Sequence, residues 1–460
     1  MADCYIQLQQ CLSQGEIHRY TQFVLAYVLP SVINICELPL TVFICCLLPY
    51  LEWRDLSRLA QTCRFFYEVC WAYRSTTTHP RREFTVFNDK HSEDTLRFFL
   101  CARLSSVSLR ITDTVLLRRV FVDLSNVPHC NSITRLRVED ITLSLEVLAA
   151  FSAFTQLEWL EIGKNCRFSD SPELCVVQRD ATSSVFLRGV KRLKVSLLSY
   201  YPDHADLIKV LVMRALATGS APRLVEFSAV VPDWNTGLDL IGAVHLRATW
   251  RGQDTLKRLS CHSYDLRVYI GGIVPGMASD LSGLDSLSLT TECTPARQYA
   301  AEFAVPAYLR NLKAYGYTLR TLKRLDISGP VLYTDDALAG ILETCVTLVN
   351  LIANNVADGF GAKTFGVLAR SNTLRSVALR HVVKVSADNF AQLSAASNLN
   401  RVYLQGASAE TQAKMFYELL DGGFKAVHTL DVRCSQGRSY DDHMMSALMK
   451  RCSALKTLTY

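Results

Sequence analysis

The sequence predicts an α/β solenoid, with parallel strands on a concave face and helices on the convex side, preceded by a small all-α module of three helices. Three observations point there. An apolar frame, leucine-x-x-leucine-x-leucine with other apolar residues substituting, recurs thirteen times from residue 104 onward. The later copies are followed by stretches whose apolar residues fall at helical spacing. Ahead of them, residues 38–71 (LPLTVFICCLLPYLEWRDLSRLAQTCRFFYEVCW) hold three short apolar helices' worth of sequence in one small unit.

The N-terminal residues 1–36 read as an apolar helical extension, with Gln22, Phe23, Ala26 and Tyr27 continuing through Leu29. Between Arg19 and Glu52 the only charge is Glu37. Pro30, Pro39 and Pro49 cut this segment, and its uncharged runs are shorter than the ~20 residues of a spanning helix, so no membrane span is expected. A basic region ahead of the apolar one, as a secretory signal needs, is missing.

The module proper is expected over 37–75. Pro39 sits where a helix start loses no needed donor, Val42, Phe43, Cys46 and Leu47 share one face, and Pro49 ends the helix. Asp55 lies in an early turn of the second helix, whose buried stripe is Leu56, Leu59 and Cys63. Phe66, Val69, Cys70 and Tyr73 belong to the third. This is more apolar surface than so small a unit buries alone, and a partner is implied.

In order and spacing, Tyr50-Leu51, Asp55-Leu56, Leu59-Ala60 and Cys63-Arg64 match a known module, as does the opening Leu38-Pro39. The segment resembles the F-box. It departs from that pattern by one extra residue ahead of Tyr50 and by Thr41 where the family usually has an acid. An ordinary three-helix cap on a larger domain is the plainer alternative. The resemblance implies docking on the small Skp-type adaptor of a cullin–RING ubiquitin ligase. It points to Leu38, Pro39, Leu51, Leu56 and Leu59 for adaptor contact, some of them serving the module's own core instead.

Residues 76–82 have the small polar residues and proline of a linker, and Glu83–Phe87 alternates like a strand. From there the solenoid runs over 83–460. Its frames start at Leu104, Ile133, Leu157, Val190, Leu224, Leu256, Leu284, Leu322, Leu348, Leu374, Leu399, Val427 and Leu455, 24 to 38 residues apart. Such a period marks a stacked repeat. In the copy at Leu322, positions one, four and six (Leu322, Leu325, Ile327) point inward. Asp335 and Asp336 then open a helix whose Leu338, Ile341, Leu342 and Cys345 face the strand. Ser386 caps a similar helix with Phe390 and Leu393 inward. No strand-helix unit buries its own face, so neighbours must stack. An α/β domain whose parallel strands merely look alike is the alternative.

The frame resembles the leucine-rich repeat family, in its longer form with a full helix, and Cys345 and Cys452 ahead of their strands are similar to the cysteine-bearing subclass often joined to F-boxes. Where the family has an asparagine or cysteine closing the strand segment, Val356, Val382, Ala407 and Ser435 stand here. The longer early intervals are expected to hold longer loops or irregular turns. The last frame ends without a helix after it, so its edge is expected to be covered by a partner or a preceding loop.

Function in such a solenoid belongs on the outward positions of the strands. Five of the thirteen position-three residues are arginine: Arg135, Arg192, Arg258, Arg324 and Arg401. Trp159 shares their row, and Arg137 and Lys194 at position five thicken it, while Glu161, Glu226, Asp326 and Asp431 interrupt it. Arginines at strand spacing suit bidentate contact with an acidic or phosphorylated protein segment; solvated charge paired with those acids is the plainer reading.

Bulk composition excludes little else. The net charge of +6 is spread over the chain, which argues against nucleic acid as a partner. Sixteen cysteines without a C-x-x-C pair or zinc spacing, and no N-x-[ST] sequon, suit buried thiols in a reducing, intracellular compartment, cytoplasmic or nuclear. Catalytic signals are weak. Gly359-Phe-Gly-Ala-Lys363-Thr364 lacks the glycines of a phosphate loop and reads as a turn into a helix, and Asp441-Asp442-His443 reads as a helix start rather than a metal site. No cofactor and no enzymatic activity are expected. Joined, the two halves are similar to F-box and leucine-rich-repeat proteins, which implies a substrate-recognition adaptor of an SCF-type ligase. The alternative is a scaffold subunit of a large assembly without ubiquitin transfer.

Overall fold

The computed structural model describes residues 79–87, 104–110 and, from 133 to 459, all but a set of breaks, the longest at 169–186, 245–254, 266–282, 292–308 and 435–449. The expected N-terminal extension and three-helix module, with Leu38, Pro39, Leu51, Leu56 and Leu59, lie outside the described residues, as do Asp441–His443 and Val382.

Each of the thirteen frames is a strand. They are β2 (Leu104–Arg110), β3 (Arg135–Val138), β5 (Trp159–Ile162), β7 (Arg192–Ser196), β8 (Glu226–Asp233), β9 (Arg258–Asp265), β10 (Ser286–Thr291), β11 (Arg324–Asp326), β12 (Asn350–Asn354), β13 (Ser376–Arg380), β14 (Arg401–Ala407), β15 (Thr429–Cys434) and β16 (Thr457–Thr459). With β1 (His79–Phe87) ahead of β2, they form one fourteen-stranded sheet in sequence order, every neighbouring pair parallel. Between them, β4 (Thr142–Leu143) and β6 (Arg167–Phe168) pair separately. Parallel neighbours need a crossover of a dozen or more residues, which the repeat intervals supply. β1 pairs regularly only from Glu83↔Ser106 onward, where the sequence alternation begins. The register shifts between His79 and Glu83, beside Pro80, which has no N–H to give a ladder.

The frame fixes the register. Position three pairs with position three along the sheet, from Ser106↔Arg135 through Arg324↔Asn350 to Thr429↔Thr457. Positions one, four and six point to the core: Leu322, Leu325 and Ile327 are all buried, as are Leu256, Leu259 and Cys261. Burying one such side chain stabilises by roughly 1.5–3 kcal/mol, while ordering a residue costs about 1.5 kcal/mol. The three strand and four helix side chains that one unit buries therefore fall short of ordering that unit, and stacking is obligatory.

Helices lie between strands: α1 (Pro202–Ala217), the one-turn α2 (Thr318–Thr321), α3 (Asp335–Leu342), α4 (Ala362–Ala369) and α5 (Ala387–Ala391). The interval between β7 and β8 was expected to hold a longer loop. It holds α1, sixteen residues long, because Ile208, Leu211, Val212, Ala215 and Leu216 keep helical spacing and are all buried. Thr334 caps α3 and Ser386 caps α5, each accepting an N–H three residues on. Phe360, Phe365, Phe390 and Phe424 form a buried aromatic spine through successive repeats, with ring centroids 6.0, 5.8 and 6.3 Å apart.

The strand exits lack the expected asparagine at most repeats and use backbone instead. At position eight, Asp140, Asn355 and His381 take positive φ and Gly329 does likewise, and their N–H groups donate to the carbonyls of Lys164, Arg380, Gln405 and Asn354. The strand entries carry a hydroxyl ladder. Thr255, Thr321, Thr347 and Thr373 each precede a frame; Oγ1 of Thr255, Thr321 and Thr373 donates to the position-one carbonyl of the previous frame, Leu224 (2.7 Å), Leu284 (3.1 Å) and Leu348 (2.9 Å), while Thr347 Oγ1 donates to the Arg320 carbonyl (2.7 Å) with that of Leu322 at 3.1 Å. Cys166, Cys261 and Cys345 are unbridged and buried, and burial pushes each thiol up to about 12.

Candidate functional site

The outward positions of β3, β5 and β7 make a block of two rows. Register pairs align Arg135, Trp159 and Arg192 at position three, and Arg137, Glu161 and Lys194 at position five. Four cations therefore surround one tryptophan and one carboxylate. The first row continues on β8 and β9 with Glu226 and Arg258. Arg324 and Arg401 stand apart from this block. Ser286 of β10 separates Arg324 from Arg258, and Asn350 and Ser376 separate Arg401 from Arg324. Of the eight residues expected to form a stripe, six are thus brought together.

Trp159 organises the first row. The Arg135 guanidinium carbon lies 3.7 Å from its ring centroid and that of Arg192 5.8 Å, so the indole is contacted by a cation from each neighbouring strand. Glu161 organises the second. It is buried, and Lys194 Nζ donates to its Oε1 at 2.9 Å. Arg135 Nη2 and Arg137 Nε approach it only to 3.9 and 3.8 Å, too far for hydrogen bonds. Arg137 Nη2 instead pairs with Glu139 at 2.5 Å. The Nε atoms of Arg135 and Arg137 are buried and have no hydrogen-bond partner. Further along, Glu226 lies 3.8 Å from Arg192 Nε and 3.0 Å from Arg258 Nη1.

Glu139 escaped the sequence reading. It occupies position seven, where alternation continues past the six-residue frame, and extending the frame by one residue pair finds it. Asp431 and Asp326 do not interrupt the block. Asp431 accepts from Gln405 Nε2 and Asp326 from the Ser328 hydroxyl, both on later repeats. A block of fixed guanidinium and ammonium groups beside an aromatic face can hold an anion and stack against a planar group; it contains no nucleophile with a base beside it. Among the described residues no group of three His, Cys, Asp or Glu side chains could hold a metal ion, and no helix is long and apolar enough to cross a membrane.

The Gly359–Thr364 segment enters α4 as expected, and three of its N–H groups are already taken. Asp335 accepts from the N–H groups of Gly361 (3.0 Å), Lys363 (3.0 Å) and Thr364 (2.9 Å). Burial opposes ionisation of Asp335, but the hydrogen bonds from Thr364, Lys363 and Gly361 together outweigh it and hold the carboxyl below its usual range. A carboxylate fills the place a phosphate would need.

No family model and no curated protein matches the chain. Among solved structures it is similar to an internalin of Listeria monocytogenes, at 13% identity over 89% of this chain and 94% of that one, with a TM-score of 0.36. It is also similar to a chain of the Rad7 and Elc1 complex of yeast, at 14% identity over 88% and 92%, with a TM-score of 0.37. A third is the leucine-rich-repeat ectodomain of the receptor kinase GASSHO1/SCHENGEN3 of Arabidopsis thaliana, at 12% identity over 77% of this chain and 46% of that one, TM-score 0.23. Likenesses of this size carry no functional argument, and the leucine-rich solenoid stands on its own frame and register.

Proposed function

We propose that this chain is a non-catalytic recognition subunit of an SCF-type cullin–RING ubiquitin ligase, working in the cytoplasm or nucleus. Residues 37–75 bind a Skp-type adaptor through Leu38, Pro39, Leu51, Leu56 and Leu59, and the strand face holds the substrate protein. The observation that carries the recognition half is the block on β3, β5 and β7, where four cations and Trp159 share one face. The adaptor half rests on the F-box-like spacing of residues 38–71. Such a chain contributes proximity, presenting a substrate lysine to a charged enzyme that other subunits bring.

The internal pairing of the block favours a second reading. Glu161 and Glu226 already neutralise part of the charge, as in a scaffold whose face is a structural ion network. Affinity purification from the native cell separates the two, comparing wild type with a Leu38→Ala, Pro39→Ala, Leu56→Ala variant. On the ligase reading, adaptor and cullin accompany wild type and are lost with the variant. A stoichiometric complex without cullin would sink ubiquitin transfer and leave the scaffold.

A further inference from the structure

The later strands carry a cation that the block on β3, β5 and β7 does not account for. We infer that Arg380, with the apolar row beside it, holds the C-terminal residue of the bound protein: the guanidinium takes the free α-carboxylate and the row takes an apolar side chain. This deepens the reading of the strand face as the substrate-holding surface and rests on it.

Position seven pairs Asn354 of β12, Arg380 of β13 and Gln405 of β14, and position five pairs Ile352, Ala378 and Tyr403 on the same three strands. Each cation on β3, β7 and β9 has a carboxylate at ion-pair distance. Arg380 has none among the described residues. Arg324 and Arg401 are exposed, where water solvates the charge, but Arg380 is half-buried, and a charge drawn out of water favours a paired anion. Its guanidinium carbon lies 5.7 Å from the Tyr403 ring centroid, a contact that positions the side chain and leaves the charge uncompensated. The Nε is buried, so the Nη edge is the one a ligand meets.

The neighbouring row sets the kind of anion. Ala378 is short and stands between the half-buried Ile352 and Tyr403, so the row dips at its middle, on the same strand as Arg380. Positions five and seven are two residues apart, about 6.6 Å at the rise of a strand. A chain terminus matches this pattern, because its carboxylate and its side chain leave one Cα. An internal aspartate or glutamate carries its carboxylate at the tip of the side chain and brings nothing apolar of its own to the row. Asp326 and Asp431 stand at position five just beyond the row, on β11 and β15, held by the Ser328 hydroxyl and the Gln405 amide. A segment with several negative charges lying along the row meets both, whereas a single terminal carboxylate at Arg380 sits two strands from either.

The test uses the purified full chain and four degenerate peptide libraries: one ending in leucine with a free carboxylate, one in leucine amide, one in serine with a free carboxylate, and an amidated one with a fixed internal glutamate. Binding is read by fluorescence polarisation. Wild type is expected to hold the leucine acid at least about tenfold more tightly than the leucine amide, the size of one charge-assisted hydrogen bond, and more tightly than the serine acid. Arg380→Gln is expected to abolish the difference between acid and amide while the unfolding midpoint holds or rises, since an uncompensated charge is removed. Equal binding of acid and amide, equal binding of the leucine and serine acids, a difference that survives Arg380→Gln, or no binding of any library would each overturn the inference. So would an internal-glutamate library held as tightly as the leucine acid. The comparisons among libraries need no variant and decide the matter even if the substituted chain fails to fold. Residues 38–71 are untouched, so the adaptor purification is decided separately, and a failure of one reading is distinguishable from a failure of the other.

Discussion

At Asp335 a single carboxylate serves two repeats. It stands in the first turn of α3 and accepts three N–H groups at the start of α4, so it satisfies donors that the next helix cannot pair by itself. The approach is close: a Cβ on Gly361 would lie 2.5 Å from the Asp335 carboxylate and would displace it from these bonds. Asp335→Ala is expected to cost about 1–2 kcal/mol in urea unfolding, the usual effect of removing a cap. Because the folded carboxyl ionises below the ordinary value, its contribution is in full force above the unfolded pKa near ~3.9 and fades as pH falls through the folded value. Asp335→Asn should therefore lower stability at pH 7, with the gap to wild type closing in acid; a gap of constant size between pH 7 and pH 3 would refute the assignment. The sequence made Asp335 legible as a residue opening a helix. Its partners were hidden because they lie 26 to 29 positions away, one full repeat, and only the stacking brings them together.

Elements were most legible where their spacing was internal. The thirteen frames became thirteen strands because one, four and six alternate inward within six residues, and a one-residue slip would turn the whole set outward. α1 was missed for the opposite reason. Its apolar stripe was present, but attention to the strand frame alone reads a long interval as loop. The hydroxyl ladder was also on view, as a Thr-Leu pair at residues 255, 321, 347 and 373, and had no meaning until the strands were in register. Each rung ties one strand entry to the repeat before it. Replacing Thr347 or Thr373 with valine, which keeps the shape, is expected to cost about 1 kcal/mol each in denaturant unfolding. No change in midpoint for either would show the rungs to be incidental.

Over the whole molecule, stability passes from neighbour to neighbour, since each repeat packs only on the next. The phenylalanine spine crosses several of these joints. Phe390→Ala should cost roughly 3–5 kcal/mol and should also break the unfolding transition, followed by far-UV circular dichroism, into two steps as the sheet on either side of β13 and β14 parts company. A single shifted step would mean coupling beyond nearest neighbours. At this scale the sequence told which residues share a row and could not tell which cation meets which acid; Arg324 and Arg401 look identical to Arg135 in the frame, yet β10, β12 and β13 put neutral side chains between them. The three thiols buried among the described residues, Cys166, Cys261 and Cys345, give this chain of joints a readout of its own. Buried, and with burial raising each thiol's pKa, these sulfurs are expected to react slowly with an alkylating reagent until their surroundings open. Cys166 follows β5, Cys261 lies within β9 and Cys345 follows α3, so site-resolved alkylation under native conditions would run as three separate stopwatches along one molecule, each started by the opening of its own stretch.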